Sequence, residues 1–203
     1  MKNGHETMPD GLSGLLYQLL ETEIGGVNVY ETALQCVSND ELEEEWQKYL
    51  EETKRHVEIA TSLLKKLGLD PKAEVPARKP VRAVGEGLVT AMKKAKTGGT
   101  PEEAQLTAAE CVVLAETKDH MNWELIGLIA EKSELSLKKA LEEAHEQVEK
   151  QEDHHLYHTT GWARELWIEA LGLPAALPPP EEIKQVETAI GAARAKNARR
   201  EMI

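Results

Sequence analysis

Apolar residues recur at intervals of three and four along most of the chain, and nowhere do β-branched residues alternate as a half-buried strand requires. The pattern divides into four long helices. The first runs from about Leu12 to Val37 after Asp10 as N-cap, with the stripe Leu12, Leu16, Leu19, Val27, Tyr30, Leu34 and Val37. The second starts near Asp40, where Asp40 and Glu43 can form a capping box, and continues through Leu42, Trp46, Tyr49, Val57, Ala60 and Leu64 to Leu67, with Gly68 closing it. The third begins at Thr100-Pro101-Glu102-Glu103, an N-cap, a proline at the first helical position and a capping glutamate. It reaches about Ala130, with Ala109, Val112, Trp123 and Gly127 on one face and Leu114, Met121, Leu125 and Leu128 on another. The fourth starts near Ser133 and reads Leu141, Ala144, Val148, Thr159, Trp162 and Leu166, ending at Leu171-Gly172.

Connection lengths turn these helices into an architecture. Short turns near residues 39 and 133 join antiparallel neighbours, whereas Gly68 to Gly99, with prolines at 71, 76 and 80 and a short helical pattern through Val81, Val84, Leu88, Met92 and Ala95, can cross the length of a bundle. The expected fold is all-α, a four-helix bundle over residues 1–175 with a long crossover between its second and third helices. An extra C-terminal helix, Glu181 to about Arg200, follows Pro178-Pro179-Pro180 in an extension over residues 176–203.

Composition narrows the partners. The 203 residues hold 24 Lys plus Arg against 36 Asp plus Glu, a net charge of −12, so bulk charge repels nucleic acid and anionic lipid. Cys36 and Cys111 form neither a CxxC pair nor a disulfide framework, and no run of 18 apolar residues occurs, so a cytoplasmic location without membrane contact is expected. The second apolar face of the third long helix and the extra C-terminal helix suggest a homodimer, although the crossover could also cover that face.

The chemistry lies in polar residues that fall on apolar faces. At about 100° per residue, Glu23 sits in the middle of the first stripe, and Glu116 lies among Ala109, Val112 and Trp123 with His120 one turn on. Glu152 and His155 flank the line from Val148 to Trp162 as an inward Glu-x-x-His, and His56 stands at the edge of the second stripe. A buried carboxylate without a partner costs several kcal/mol, and carboxylates facing one another cost more. No Lys or Arg falls on these faces nearby, and imidazoles with carboxylates are a ligand set for first-row divalent metals. Depth agrees: Glu23 lies 16 residues before the first turn and His56 17 after it, while Glu116 lies 17 before the second turn and Glu152 19 after it. All four helices bring such residues to one level.

These residues resemble the ferritin-like carboxylate-bridged dimetal proteins, in which a Glu from each of two helices joins a Glu-x-x-His from each of the other two. The resemblance covers Leu12 to Leu171 and implies Glu23 and Glu116 as the lone glutamates and Glu152 with His155 as a full Glu-x-x-His. The second helix departs from the pattern, because Thr53 stands three residues before His56 and the nearest carboxylate is Glu52, which a π-bulge could bring inward. His120 lies outside the basic pattern and could replace a missing ligand or donate a hydrogen bond from behind one. The implied site is therefore Glu23, Glu52, His56, Glu116, His120, Glu152 and His155, holding two divalent ions, iron foremost, with manganese or zinc accepting the same ligands. The stretch His154 to His158 followed by Trp162 to Trp167 also resembles bacterial ferritin-like proteins.

What the resemblance implies is a non-haem diiron oxidase or peroxidase acting on dioxygen or peroxide, with manganese catalase chemistry as an alternative. The competing class is non-enzymatic: a metal-sequestering or metal-stabilised bundle. A rubrerythrin would carry paired CxxC motifs, which this sequence lacks, and the proline-bearing crossover speaks against a storage shell. Tyr30 and Tyr49, at matching depth, are expected to pack on each other. Met92 and Met121 read as core, and His5, His154 and His158 as solvated.

Overall fold

The computed structural model describes residues 11–174 and contains, among them, five helices and no strand. They are α1 (Leu12–Ala33), α2 (Asp40–Lys66), α3 (Arg78–Gly98), α4 (Pro101–Lys132) and α5 (Leu135–Ala170). Asp10, His5 and the expected C-terminal helix lie outside the described residues.

Helix starts and stops follow local chemistry. At α4 the Thr100 hydroxyl accepts from Glu103 N, and the Glu103 carboxylate accepts from Thr100 N, a reciprocal cap. The N-cap of α2 is Asn39, whose Oδ1 accepts from Leu42 N at 3.0 Å, so the expected Asp40–Glu43 box is replaced by a cap one residue earlier. Gly68, at φ 77°, closes α2 with Gly68 N bonded to Lys65 O and Leu69 N to Leu64 O, an arrangement that needs the left-handed conformation glycine adopts without strain. The first helix ends at Ala33, four residues before the expected Val37. There the chain tightens, with Gln35 N bonded to Thr32 O and Cys36 N to Ala33 O.

The helices α1 and α2 form one antiparallel hairpin and α4 and α5 another, with α1 against α4 and α2 against α5. Helix α3 packs on α1 and α4, running from the end where Leu12 and Leu64 pack to the end where Met92 meets Cys36, so the crossover spans the bundle as expected. Its start is clasped by charge. Arg78 Nε donates to Glu21 Oε2 at 2.5 Å and Arg82 Nε to Glu21 Oε1 at 2.6 Å, while Arg78 Nη1 also bonds Pro71 O. The two guanidiniums outweigh the burial of Glu21 and hold its carboxyl below the usual range. Tyr17 Oη donates to Asp70 O, which ties the preceding loop to α1.

The apolar core is divided in two. One cluster gathers Leu16, Leu19, Ala60, Leu64, Trp123, Ile126, Leu141 and Val148. The other, toward the opposite end, gathers Val29, Tyr30, Trp46, Tyr49, Met92, Ala108 and Val112. Tyr30 and Tyr49 meet edge to face at 6.3 Å, as expected. Met92 is buried, but Met121 is 46% exposed and not core, and Leu114 and Leu125 share its outward side of α4.

Candidate metal centre

Along every long helix, the residues that pass from one apolar cluster to the other are polar. Glu23 lies between Leu20 and Val29, His56 between Tyr49 and Ala60, Glu116 and Asp119 between Val112 and Trp123, and Glu152 and His155 follow Val148. All six are at most 4% exposed. The side chains converge: one ligand atom each of Glu23, His56 and Glu152 lie within 4.8 Å of one another, and so do those of Glu116, Glu152 and His155. Glu152 belongs to both groups. His56 Nδ1 is 2.9 Å from Glu152 Oε1 and 3.8 Å from Glu23 Oε2, and His155 Nδ1 is 3.6 Å from both Glu116 Oε2 and Glu152 Oε1.

The layer lacks its own satisfaction. Buried atoms without a hydrogen-bond partner include Glu23 Oε2, Glu116 Oε2, Asp119 Oδ1, both Glu152 oxygens and the Nδ1 atoms of His56 and His155. Native interiors pair the large majority of such groups, so this concentration of unsatisfied atoms at one level is unusual. Burial, then Asp119 and Glu152, push the Glu23 carboxyl well above its ordinary range; burial, then Glu152 and Glu116, do the same to Asp119. Glu152 is raised to about 8, chiefly by burial and by Glu116. Burial opposes charge on His155, but the Glu116 and Glu52 carboxylates beside it push it up to about 10. Burial lowers His56.

Which ring nitrogen faces inward follows from a chain of hydrogen bonds on the α2–α5 side. Glu52 can only accept; its Oε1 takes Gln151 Nε2 at 2.9 Å and its Oε2 takes His155 Nε2 at 2.9 Å. Because the Gln151 amide nitrogen is committed to Glu52, its Oε1 faces His56 Nε2 at 2.8 Å, and that ring nitrogen must carry hydrogen. Both imidazoles are thus anchored through Nε2 and present Nδ1 to the carboxylates, the arrangement in which a ligating histidine donates its other N–H to a fixed acceptor.

The seven residues singled out by sequence fall into two sets. Glu23, His56, Glu116, Glu152 and His155 come together. Glu52 stands at the rim, its side chain 18% exposed, and reaches the cluster only through His155 and Gln151. His120 faces Asp153 Oδ1 at 3.1 Å and belongs to neither group of ligand atoms. The position of the missing glutamate, Thr53, is 2% exposed, donates to Tyr49 O, and has its methyl carbon 3.2 Å from where a Cβ on Gly26 would lie. Thr53 and Gly26 mark a close approach of α1 and α2. Asp119, which the sequence reading passed over, is buried one turn after Glu116. The one signal that could have found it is the helical stripe Val112, Glu116, Asp119 and Trp123.

Around the layer, Trp123 Nε1 donates to Glu23 Oε1 at 2.6 Å, and the Tyr49 ring lies 4.3 Å from that of His155. Tyr49 Oη pairs with His158 Nδ1 at 2.9 Å, so His158, expected as solvated, has a partner, whereas His154 is exposed. His145 packs over the bare backbone of Gly127. No protein family, no characterised protein and no solved structure matches this chain in comparison.

Proposed function

We propose that the polar layer holds two divalent metal ions, with Glu152 common to both groups of ligand atoms, in a bundle of the ferritin-like kind, and that the protein is an oxidoreductase for dioxygen or peroxide with iron as its metal. The observation that carries this reading is the pair of three-residue groups sharing one carboxylate, each with orphaned donor atoms, in an otherwise apolar interior. Glu23 and His56 would serve one ion, Glu116 and His155 the other, and Asp119 stands within the same charge cluster. Ionised Glu23, Glu116, Asp119 and Glu152 carry −4, the charge that two divalent ions neutralise, with both imidazoles neutral. Iron bound there would supply the electrons for reducing dioxygen or peroxide; zinc would supply none.

The chain's own part is positional. Glu52 and Gln151 hold the two rings with Nδ1 inward, Trp123 orients Glu23, and the two apolar clusters keep water from the carboxylates. The Tyr49 ring packs on His155 and its hydroxyl is held by His158, which fixes that side of the layer.

Elemental analysis of protein purified without added metal tests the site, with two ions per chain expected. Anaerobic loading with ferrous iron followed by oxygen or peroxide tests the chemistry, read by near-ultraviolet absorbance and oxygen consumption. Fewer than one ion per chain refutes the site, and loading without any response to either oxidant refutes the oxidoreductase. One observation favours a second reading, a metal-stabilised or metal-sequestering bundle: the apolar cavity between α1, α3 and α4 is lined by none of the six buried site residues. Full loading with an inert response would establish it.

A further inference from the structure

The cavity between α1, α3 and α4 has a volume of about 290 Å³, close to the lower bound of pockets that take small molecules. Its wall is mostly hydrocarbon, from Val29 on α1, Val81, Val84 and Leu88 on α3, and Leu114 on α4. Glycines make the space. A Cβ on Gly25 would meet nothing within 4 Å, and one on Gly85 would touch only Gly25 Cα at 3.7 Å.

Most polar groups on this wall are committed. Glu21 is neutralised by Arg78 and Arg82, and Thr22 donates to Gln18 O while accepting from Asn122 Nδ2. Lys118 is different. It is half-buried, its hydrogen bond goes to the neutral amide oxygen of Asn122, and among the described residues no carboxylate lies within ion-pair distance of it. An ammonium carries three donors, so at least two remain for a ligand. A cation on an apolar wall, in a chain of net charge −12, is a selective feature: the protein's general field repels anions, and this one group attracts them.

We infer that this cavity binds a small apolar anion, an alkyl or aryl carboxylate, with its hydrocarbon against Val29, Val81, Leu88 and Leu114 and its carboxylate on Lys118. Binding there needs no metal in the polar layer.

The test uses the full chain, metal-free and metal-loaded, and measures binding of octanoate, octan-1-ol and octylamine by calorimetry. Octanoate is expected to bind about tenfold or more tightly than the alcohol, the contribution of one charge-assisted hydrogen bond, and the amine more weakly still. Lys118→Met should bring octanoate down to the level of the alcohol and leave the alcohol unchanged. Gly85→Leu, which places a side chain in the cavity and favours the helix, should abolish both while circular dichroism stays that of the parent. Octanoate that still binds more tightly than the alcohol in Lys118→Met, octanoate binding that survives Gly85→Leu, equal affinity for the amine, or no octanoate binding at millimolar concentration overturns the inference. Since metal-free protein gives the same readout, a failed metal centre leaves this result intact, and the reverse holds too.

Discussion

Replacing Glu152 by glutamine should stabilise the metal-free protein, and only at high pH. The carboxyl is 1% exposed, and both its oxygens lack hydrogen-bond partners. Burial and Glu116 raise it from 4.5 to about 8. Below pH 4.5 the group is protonated in both the folded and unfolded chain and contributes nothing to a pH dependence. Between 4.5 and 8 the folded chain keeps a proton that the unfolded chain has released, so stability falls as pH rises through that window. At about 1.4 kcal/mol per pH unit, the penalty approaches on the order of 5 kcal/mol by pH 8, and relaxation of the helices reduces it to roughly 2 to 4 kcal/mol. Glutamine keeps the shape and can turn an amide N–H toward the bare Nδ1 of His56, but carries no charge. Urea denaturation in the presence of a chelator should therefore show Glu152→Gln more stable than the parent by about 2 kcal/mol or more at pH 8, and within about 1 kcal/mol at pH 5. The same substitution should abolish binding of both ions. A variant less stable than the parent at pH 8, or a difference equal at the two pH values, would refute the claim that an electrostatically frustrated layer exists here.

Glu52→Ala should lower metal affinity roughly 10- to 100-fold while leaving the stoichiometry at two per chain, because it frees His155 Nε2 and Gln151 without removing a ligand; a drop to one ion would make Glu52 a ligand after all. Metal affinity should rise between pH 6 and 8 and protons should be released on loading, since Glu23, Asp119, Glu152 and His155 are all shifted toward their protonated forms; a pH-independent affinity by competition titration contradicts this. Glu21→Gln leaves Arg78 buried without its carboxylate and should cost about 3 kcal/mol or more at pH 7. Because the Glu21 carboxyl is lowered on folding, that deficit is fully present above its unfolded value near 4.5 and should shrink as pH falls through the lower folded value; parallel denaturation profiles for variant and parent would contradict it. Thr100→Ala should cost about 1 kcal/mol by loss of the α4 cap, read as a lower melting temperature.

Much of the architecture was legible in the sequence because period and capping agree. The Thr100-Pro101-Glu102-Glu103 start is where the structure begins α4, and the thirty-odd residues to Gly99 are a crossover of bundle length. The end of α1 was not legible, since Cys36 remains buried after the helix has tightened into turns, and a hydrophobic pattern cannot register that change. Five of the seven candidate ligating residues converge because a charge in the middle of an apolar stripe has nowhere else to point. Glu52 and His120 needed knowledge of helix rotation within about 40°, finer than a helical wheel resolves. Asp119 was hidden by its polar neighbours Thr117, Lys118 and His120, which make that turn look solvated although its stripe runs inward. The empty wall beside Lys118 could not be foreseen, since it depends on how α3 leans across Gly25 and Gly85.

The division of the core into two apolar clusters has a kinetic meaning. With leucine and tryptophan packed at either end of the rods, the buried acidic waist lies at mid-height, and an ion bound there would exchange by way of the helices bowing apart or the rim beside Glu52. On the proposed reading, release would be timed by the breathing of the chain, and a stronger chelator in solution would remove the metal no faster than a weaker one.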